Sequence, residues 1–211
     1  MKPIKIQRAL LLIFLTAPVI CHAAVEPSPM SRFTLEQKQK LLAGEAIYEF
    51  VKTSGTEEAG KGHGQAIVLI NAPIDRCTGI FREFDKQHEY FPRKTKSEVI
   101  KTQGSRTWLR NEFYFYISKV EYTSRYTLSE DGHRFDFEMD KAYPHSIPES
   151  AGYFLFEKVD DNRTLFTYAA TKLDTGTSVP GFIQDYITSK DLPAQAVNVK
   201  KRIESGGKWI K

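Results

Sequence analysis

Cysteine is scarce in this chain, with Cys21 and Cys77 the only two in 211 residues. That excludes a disulfide-stapled scaffold and a cysteine-built zinc site, so a folded domain here relies on its apolar core. Long hydrophobic runs are equally few. Ala9 to Ile20 is the single one, and its twelve residues fall short of the ~20 needed to span a bilayer. The chain also has little charge of one sign to spare. Of 30 basic residues against 26 acidic ones, Lys2, Lys5 and Arg8 precede that apolar run; setting them aside leaves 27 against 26. A nucleic-acid binder carries a clear basic excess on one face, so no nucleic-acid partner is expected. Gly-x-Ser-x-Gly, Walker and dinucleotide-binding patterns are missing as well.

What is present at the N-terminus reads as an export signal. A positive start, an apolar core and the small-residue stretch Cys21-His22-Ala23 match a secretory signal peptide over residues 1–23. Ile20 is bulky where a lipid-modified Cys21 would follow a small residue, which disfavours a lipoprotein. Cleavage after Ala23 leaves Cys77 alone, and no intramolecular disulfide is then possible. The expectation is a periplasmic or secreted protein with no stable membrane span after cleavage.

Residues 24–44 read as a loose lead-in and a short helix. Thr34 caps Leu35 to Ala43, Gln37 completes a capping box, and Gly44 stops the helix. Strands are expected over Glu45 to Thr53 and Gln65 to Asn71, joined by the Gly-rich stretch Ser54 to Gly64. Pro73 opens a helix whose apolar stripe is Ile74, Cys77, Ile80, Phe81 and Phe84, and Pro92 forbids its continuation.

From residue 95 to 173 the period changes to two. One face reads Leu109, Asn111, Phe113, Phe115, Ile117; then Tyr122, Ser124, Tyr126, Leu128; then Phe135, Phe137, Met139. Phe154 and Phe156, and Phe166, Tyr168 and Ala170, continue it, with turns at Ser129–Gly132 and Asp160–Arg163. This is an antiparallel meander with one apolar face. The C-terminal segment returns to helical period through Phe182, Ile183, Tyr186 and Ile187. Pro193 interrupts it, Asp191 is positioned to cap a continuation through Ala196, Val197, Lys200 and Ile203, and Gly206-Gly207 end it. A sheet with one apolar face needs a cover, and this helix is the element large enough. The expected class is α+β.

Several stretches, taken in order, resemble the START-like (SRPBCC, helix-grip) superfamily, which includes coenzyme Q-binding and polyketide cyclase-like proteins. They are Val68-Leu69-Ile70-Asn71-Ala72-Pro73, Phe84-Asp85 with Glu89-Tyr90-Phe91-Pro92, Gly152-Tyr153-Phe154, Asn162 to Tyr168, and Val179-Pro180-Gly181-Phe182. The resemblance covers about residues 45–205. Thr78, His88 and Glu83 depart from the family's usual residues. It implies a helix-grip fold over 45–211, a curved antiparallel sheet wrapped around a long C-terminal helix with short helices after the second strand. It also implies a cavity between sheet and helix that holds a lipid, isoprenoid, quinone or similar apolar molecule.

The histidines His63, His88, His133 and His145 lie in loops without metal-ligand spacing, so no metal or cofactor is expected. His88, beside Tyr90-Phe91, is the one to watch. Cys77, on an apolar helix face, is expected buried and inert. Asp136, Glu138 and Asp140 fit a solvated outer face. A buried polar atom without a partner costs about 1–3 kcal/mol, so Asn111, Tyr122, Ser124, Tyr126 and Tyr168 on the inward face either bond one another or face a wet or ligand-filled space, and the second reading is favoured. The candidate ligand wall is Asn111, Phe113, Phe115, Tyr126, Phe137, Phe154, Tyr168, Phe182 and Tyr186, with the loops His88–Pro92 and Tyr143–Pro148 at the mouth. The reading is a binder or carrier of a hydrophobic small molecule, with transient membrane contact left open. A cyclase/aromatase- or hydrolase-like enzyme is the alternative; the inward residues, nearly all uncharged, weigh against it.

Overall fold

The computed structural model describes residues 27–52, 62–115, 118–176 and 187–211. Its frame is one antiparallel sheet of eight strands: β1 (Ile47–Lys52), β2 (Gly62–Ile70), β3 (Lys94–Gln103), β4 (Arg106–Phe115), β5 (Ser118–Leu128), β6 (Arg134–Met139), β7 (Glu149–Asp160) and β8 (Arg163–Asp174). Their order is β1-β2-β8-β7-β6-β5-β4-β3. The long step from β2 to β3 carries the helices, and the meander β3 to β8 then folds back until β8 pairs with β2.

Helix α1 (Leu35–Leu42) has the expected capping box: Thr34 Oγ1 accepts from Gln37 N at 3.2 Å, and Gln37 Oε1 accepts from Thr34 N at 2.9 Å. After β2 the single expected helix is instead three pieces: α2 (Ile74–Phe81), a 3-10 turn (Phe84–Lys86) and α3 (Gln87–Tyr90). The break comes at Glu83, whose ψ of 63° is not helical. It turns the chain so that Phe81 and Phe84 approach the sheet edge-to-face to one another, 6.3 Å apart.

The C-terminal helix α4 (Leu192–Glu204) packs Leu192, Ala196, Val199 and Ile203 into the core. A π-type turn, Ile187–Asp191, precedes it. Pro193 does not interrupt a helix here; it sits in the first turn of α4, where its missing N–H is no loss. Asp191 makes no side-chain cap, because its carboxylate accepts from Arg93 Nε at 2.7 Å instead. Residues 1–23, most of Ser54–Gly64, Ile117, and the helix start with Phe182, Ile183 and Tyr186 lie outside the described residues.

The strand alternation is as the sequence implies. Leu109, Asn111, Ser124, Tyr126, Phe135, Phe137, Phe154, Phe156 and Phe166 are buried on one face. On the other, Arg134 pairs with Asp136, and Arg125 with Glu138. Asp140 is used differently: it accepts from Trp108 Nε1 at 2.7 Å, so Trp108 is buried although it points away from the main core. Gly152 opposes Phe137 across β6 and β7, where a Cβ would stand 2.7 Å from the Phe137 ring and 2.1 Å from the Ala169 carbonyl.

Candidate functional site: a hollow under the C-terminal helix

The concave face of the sheet is not filled along its whole length. At one end Phe81 of α2 plugs it, with ring centroids 4.9 Å from Phe154, 5.1 Å from Phe135 and 5.4 Å from Phe156. Beyond Tyr126, Phe137 and Phe154 a hollow of about 90 Å³ remains, open on one side. Strands β4 to β8 supply its wall, Phe91 and Pro92 and the residue Ile147 stand in the flanking loops, and Leu192 and Gln195 of α4 cover it.

Seven of the nine residues expected in the wall meet here: Asn111, Phe113, Phe115, Tyr126, Phe137, Phe154 and Tyr168. Phe182 and Tyr186 lie outside the described residues. His88 stays out of the hollow, its Nδ1 2.8 Å from the Asp85 carbonyl oxygen. Cys77 is fully buried on the inner face of α2, and desolvation raises its thiol pKa to about 11, which keeps it protonated. Among the described residues no group of His, Cys, Asp and Glu is placed to hold a metal ion, and no helix is long and apolar enough to cross a membrane.

To the inward residues named from the sequence, nearly all uncharged, the structure adds Lys94. This side chain is 2% exposed, lines the hollow and lies over the rings of Phe91 and Phe113 at 4.8 and 5.4 Å. Its Nζ donates to Gln87 Oε1 at 2.7 Å, an oxygen that also accepts from Tyr126 Oη at 3.4 Å. Strict alternation places Lys94 and Lys96 on the same face, and two backbone features break it. Arg93 adopts a left-handed φ of 58°, and a register shift separates Lys94 from Lys96 against β4. A bulge of this kind re-aims one side chain, here an amine, into the core. The visible signal is only the Pro92-Arg93 break just before the strand.

Burial shapes the electrostatics. Desolvation, followed by repulsion from Lys211, pushes the Lys94 ammonium well below the ordinary lysine value. Desolvation likewise drives the phenols of Tyr126, Tyr122 and Tyr168 upward, so they stay protonated at neutral pH. Asn111, 1% exposed, donates from Nδ2 to the Leu109 carbonyl and to Ser124 Oγ, at 3.1 and 3.0 Å. Its Oδ1 and the Nε2 of Gln87 have no hydrogen-bond partner among the described residues. The site therefore offers aromatic walls, one buried amine, and the Asn111 Oδ1 left over for water or a guest.

The architecture has solved counterparts. A STAR-related lipid transfer protein from Xanthomonas axonopodis superposes with a TM-score of 0.60 at 14% identity, over 74% of this chain and 98% of that one. The Zhui aromatase/cyclase from Streptomyces sp. R1128 gives 0.58 at 15% identity, over 67% and 93%. A START superfamily protein from Mycobacterium smegmatis gives 0.56 at 12% identity, over 77% and 99%. The fold is the START-like helix grip. No family profile matches the chain, and no curated protein matches its sequence. At these identities the likeness establishes the START-like architecture alone.

Proposed function

We propose that this protein is an exported START-like carrier that holds a hydrophobic small molecule, of lipid, isoprenoid or quinone type, in the hollow between sheet and α4. The observation that carries the reading is that hollow: aromatic on its walls, covered by α4, and bordered by the unpartnered Oδ1 of Asn111. Burial of a guest's apolar surface would contribute about 25 cal/mol per Å², and the polar atoms would fix its orientation. At about 90 Å³ the space holds about six waters at ~15 Å³ each, well short of the ~300 Å³ of a drug-sized pocket. A slim chain therefore suits it better than a fused ring system, unless the half-buried Phe113 and Tyr122 swing aside. Export rests on the signal-like pattern of residues 1–23; N-terminal sequencing of protein from its own host should begin at Ala24.

The test of the carrier reading is native mass spectrometry of protein purified from its own host, before and after solvent extraction. A hydrophobic mass that leaves on extraction is expected, and an empty protein overturns the reading. An enzyme is favoured by one observation, a buried lysine shifted toward neutrality inside a cleft. It stands alone, since the tyrosines beside it are shifted away from neutrality and no carboxylate but Asp191, paired with Arg93, lines the hollow among the described residues.

A further inference from the structure

The charges that border the hollow do not balance. Asp191 is matched by Arg93 at 2.7 Å, and Lys172 by Glu149 at 3.0 Å. Among the described residues Lys94 has no carboxylate partner, and its one hydrogen-bond acceptor is the neutral Gln87 Oε1. An ammonium has three N–H groups to satisfy, and burying it without a counter-charge costs several kcal/mol. The rings of Phe91 and Phe113, at 4.8 and 5.4 Å, supply cation–π attraction but no counter-charge. The nearby cation Lys211 donates to the Phe91 and Lys94 carbonyl oxygens and repels the amine. Among the described residues the other titratable groups lining the hollow are Tyr122, Tyr126 and Tyr168, all held neutral by burial. An uncompensated amine aimed into an aromatic hollow by a left-handed residue and a bulge is an expensive arrangement for packing alone.

We propose that Lys94 is the head-group site of the hollow, and that the guest is a slim apolar molecule bearing a single carboxylate, which forms an ion pair with the Lys94 amine. This rests on the carrier reading and narrows it. A monoanion fits better than a phosphate monoester, whose charge approaches two, because one unmatched cation is present. The aromatic rings of Phe91 and Phe113 exclude water around the pair and strengthen it. The unpartnered Asn111 Oδ1 is left to accept a bond from water or from a hydroxyl on the same guest.

Protonation gives a signature. In the empty protein burial favours the neutral amine, and an arriving carboxylate favours the ammonium, so binding takes up a proton from solution between those two pKa values. Affinity falls as pH rises through the pKa of the occupied state.

The experiment is calorimetric titration of the delipidated, signal-cleaved protein with dodecanoic acid and with dodecan-1-ol, in two buffers of different ionisation enthalpy, for wild type and Lys94→Met. Dodecanoic acid should bind about tenfold or more tighter than the alcohol, with close to one proton taken up. In K94M that preference should vanish, the acid and the alcohol binding within about twofold of one another. Equal binding of acid and alcohol to wild type overturns the head-group assignment and leaves the carrier standing. An acid preference that survives in K94M places the head group elsewhere and also overturns it. If neither probe binds, both readings fall. Should K94M not fold, the wild-type proton count decides, and no uptake overturns the assignment.

Discussion

The two ends of the concave face are built from the same strands with the same alternation, yet one end is solid and the other hollow. At the closed end β6, β7 and β8 present Phe135, Phe156 and Phe166, and α2 drives Phe81 into the middle of them. At the open end the same strands present Phe137, Ala151 and Tyr168, β4 and β5 present Asn111, Phe113 and Ser124, and no described residue fills the centre as Phe81 does. Inward residue type thus decides little. Whether a helix supplies a plug decides whether the face becomes core or site.

Truncating matched aromatics at the two ends should expose that asymmetry most strongly. Phe81→Ala removes a ring that is 1% exposed and has six other ring centroids within 6.4 Å, so it should cost about 3–5 kcal/mol in urea denaturation. Phe113→Ala removes a ring that is only half-buried beside existing empty space, and should cost about 1 kcal/mol. Equal losses would mean the open end is packed as tightly as the closed one.

The second comparison concerns charge. At the open end Lys94→Met exchanges an uncompensated buried amine for an apolar side chain of similar length. The empty variant should gain about 1–4 kcal/mol of stability. The sign of the pH effect follows from the depressed folded-state pKa. Between that value and the ordinary 10.5, the unfolded chain binds more protons than the folded one. Wild-type stability therefore rises with pH through that window and is lost as pH falls through the folded value. The gain from K94M should be larger at about pH 6 than at about pH 9, read from paired denaturation curves. A variant less stable than wild type at both would show the amine to be structural. The closed end has a contrasting cation: Lys200 is also buried, but it is matched by Glu204 and donates to the Leu69 carbonyl oxygen at 2.8 Å.

Much of this contrast was legible in the sequence, and the missing part has a physical cause. The period-two pattern from 108 to 170 reports which residues face inward, because pleat geometry fixes it. Phe113, Tyr126 and Tyr168 were readable in that way. Lys94 was not, since a left-handed Arg93 and a bulge shift the phase by one residue just there. Position along a strand is also silent in a pattern: nothing in the spacing of Phe154, Phe166 and Tyr168 tells which end α2 will cover. That depends on the break at Glu83, where apolar spacing at Phe84 gave the appearance of one continuous helix. Asp191 shows the same limit. Its position before Pro193 suits a cap, but a tertiary partner, Arg93, takes its carboxylate.

The finest test removes one hydroxyl from each end of a single strand. On β8, Thr164 is fully buried at the closed end and donates to the Ala72 carbonyl oxygen at 2.8 Å. Tyr168, four residues on, lines the hollow and makes no hydrogen bond from its hydroxyl to the described residues. Thr164→Val keeps the shape but leaves the Ala72 carbonyl with only the long 3.6 Å contact from Cys77 Sγ, and should cost about 1 kcal/mol. Tyr168→Phe breaks no protein bond, and its stability should stay within about 0.5 kcal/mol of wild type. A clear loss in Y168F would mean that its hydroxyl is bonded to ordered water or a resident guest, so the extracted and unextracted protein should be compared. A loss confined to the unextracted sample would place the guest against β8.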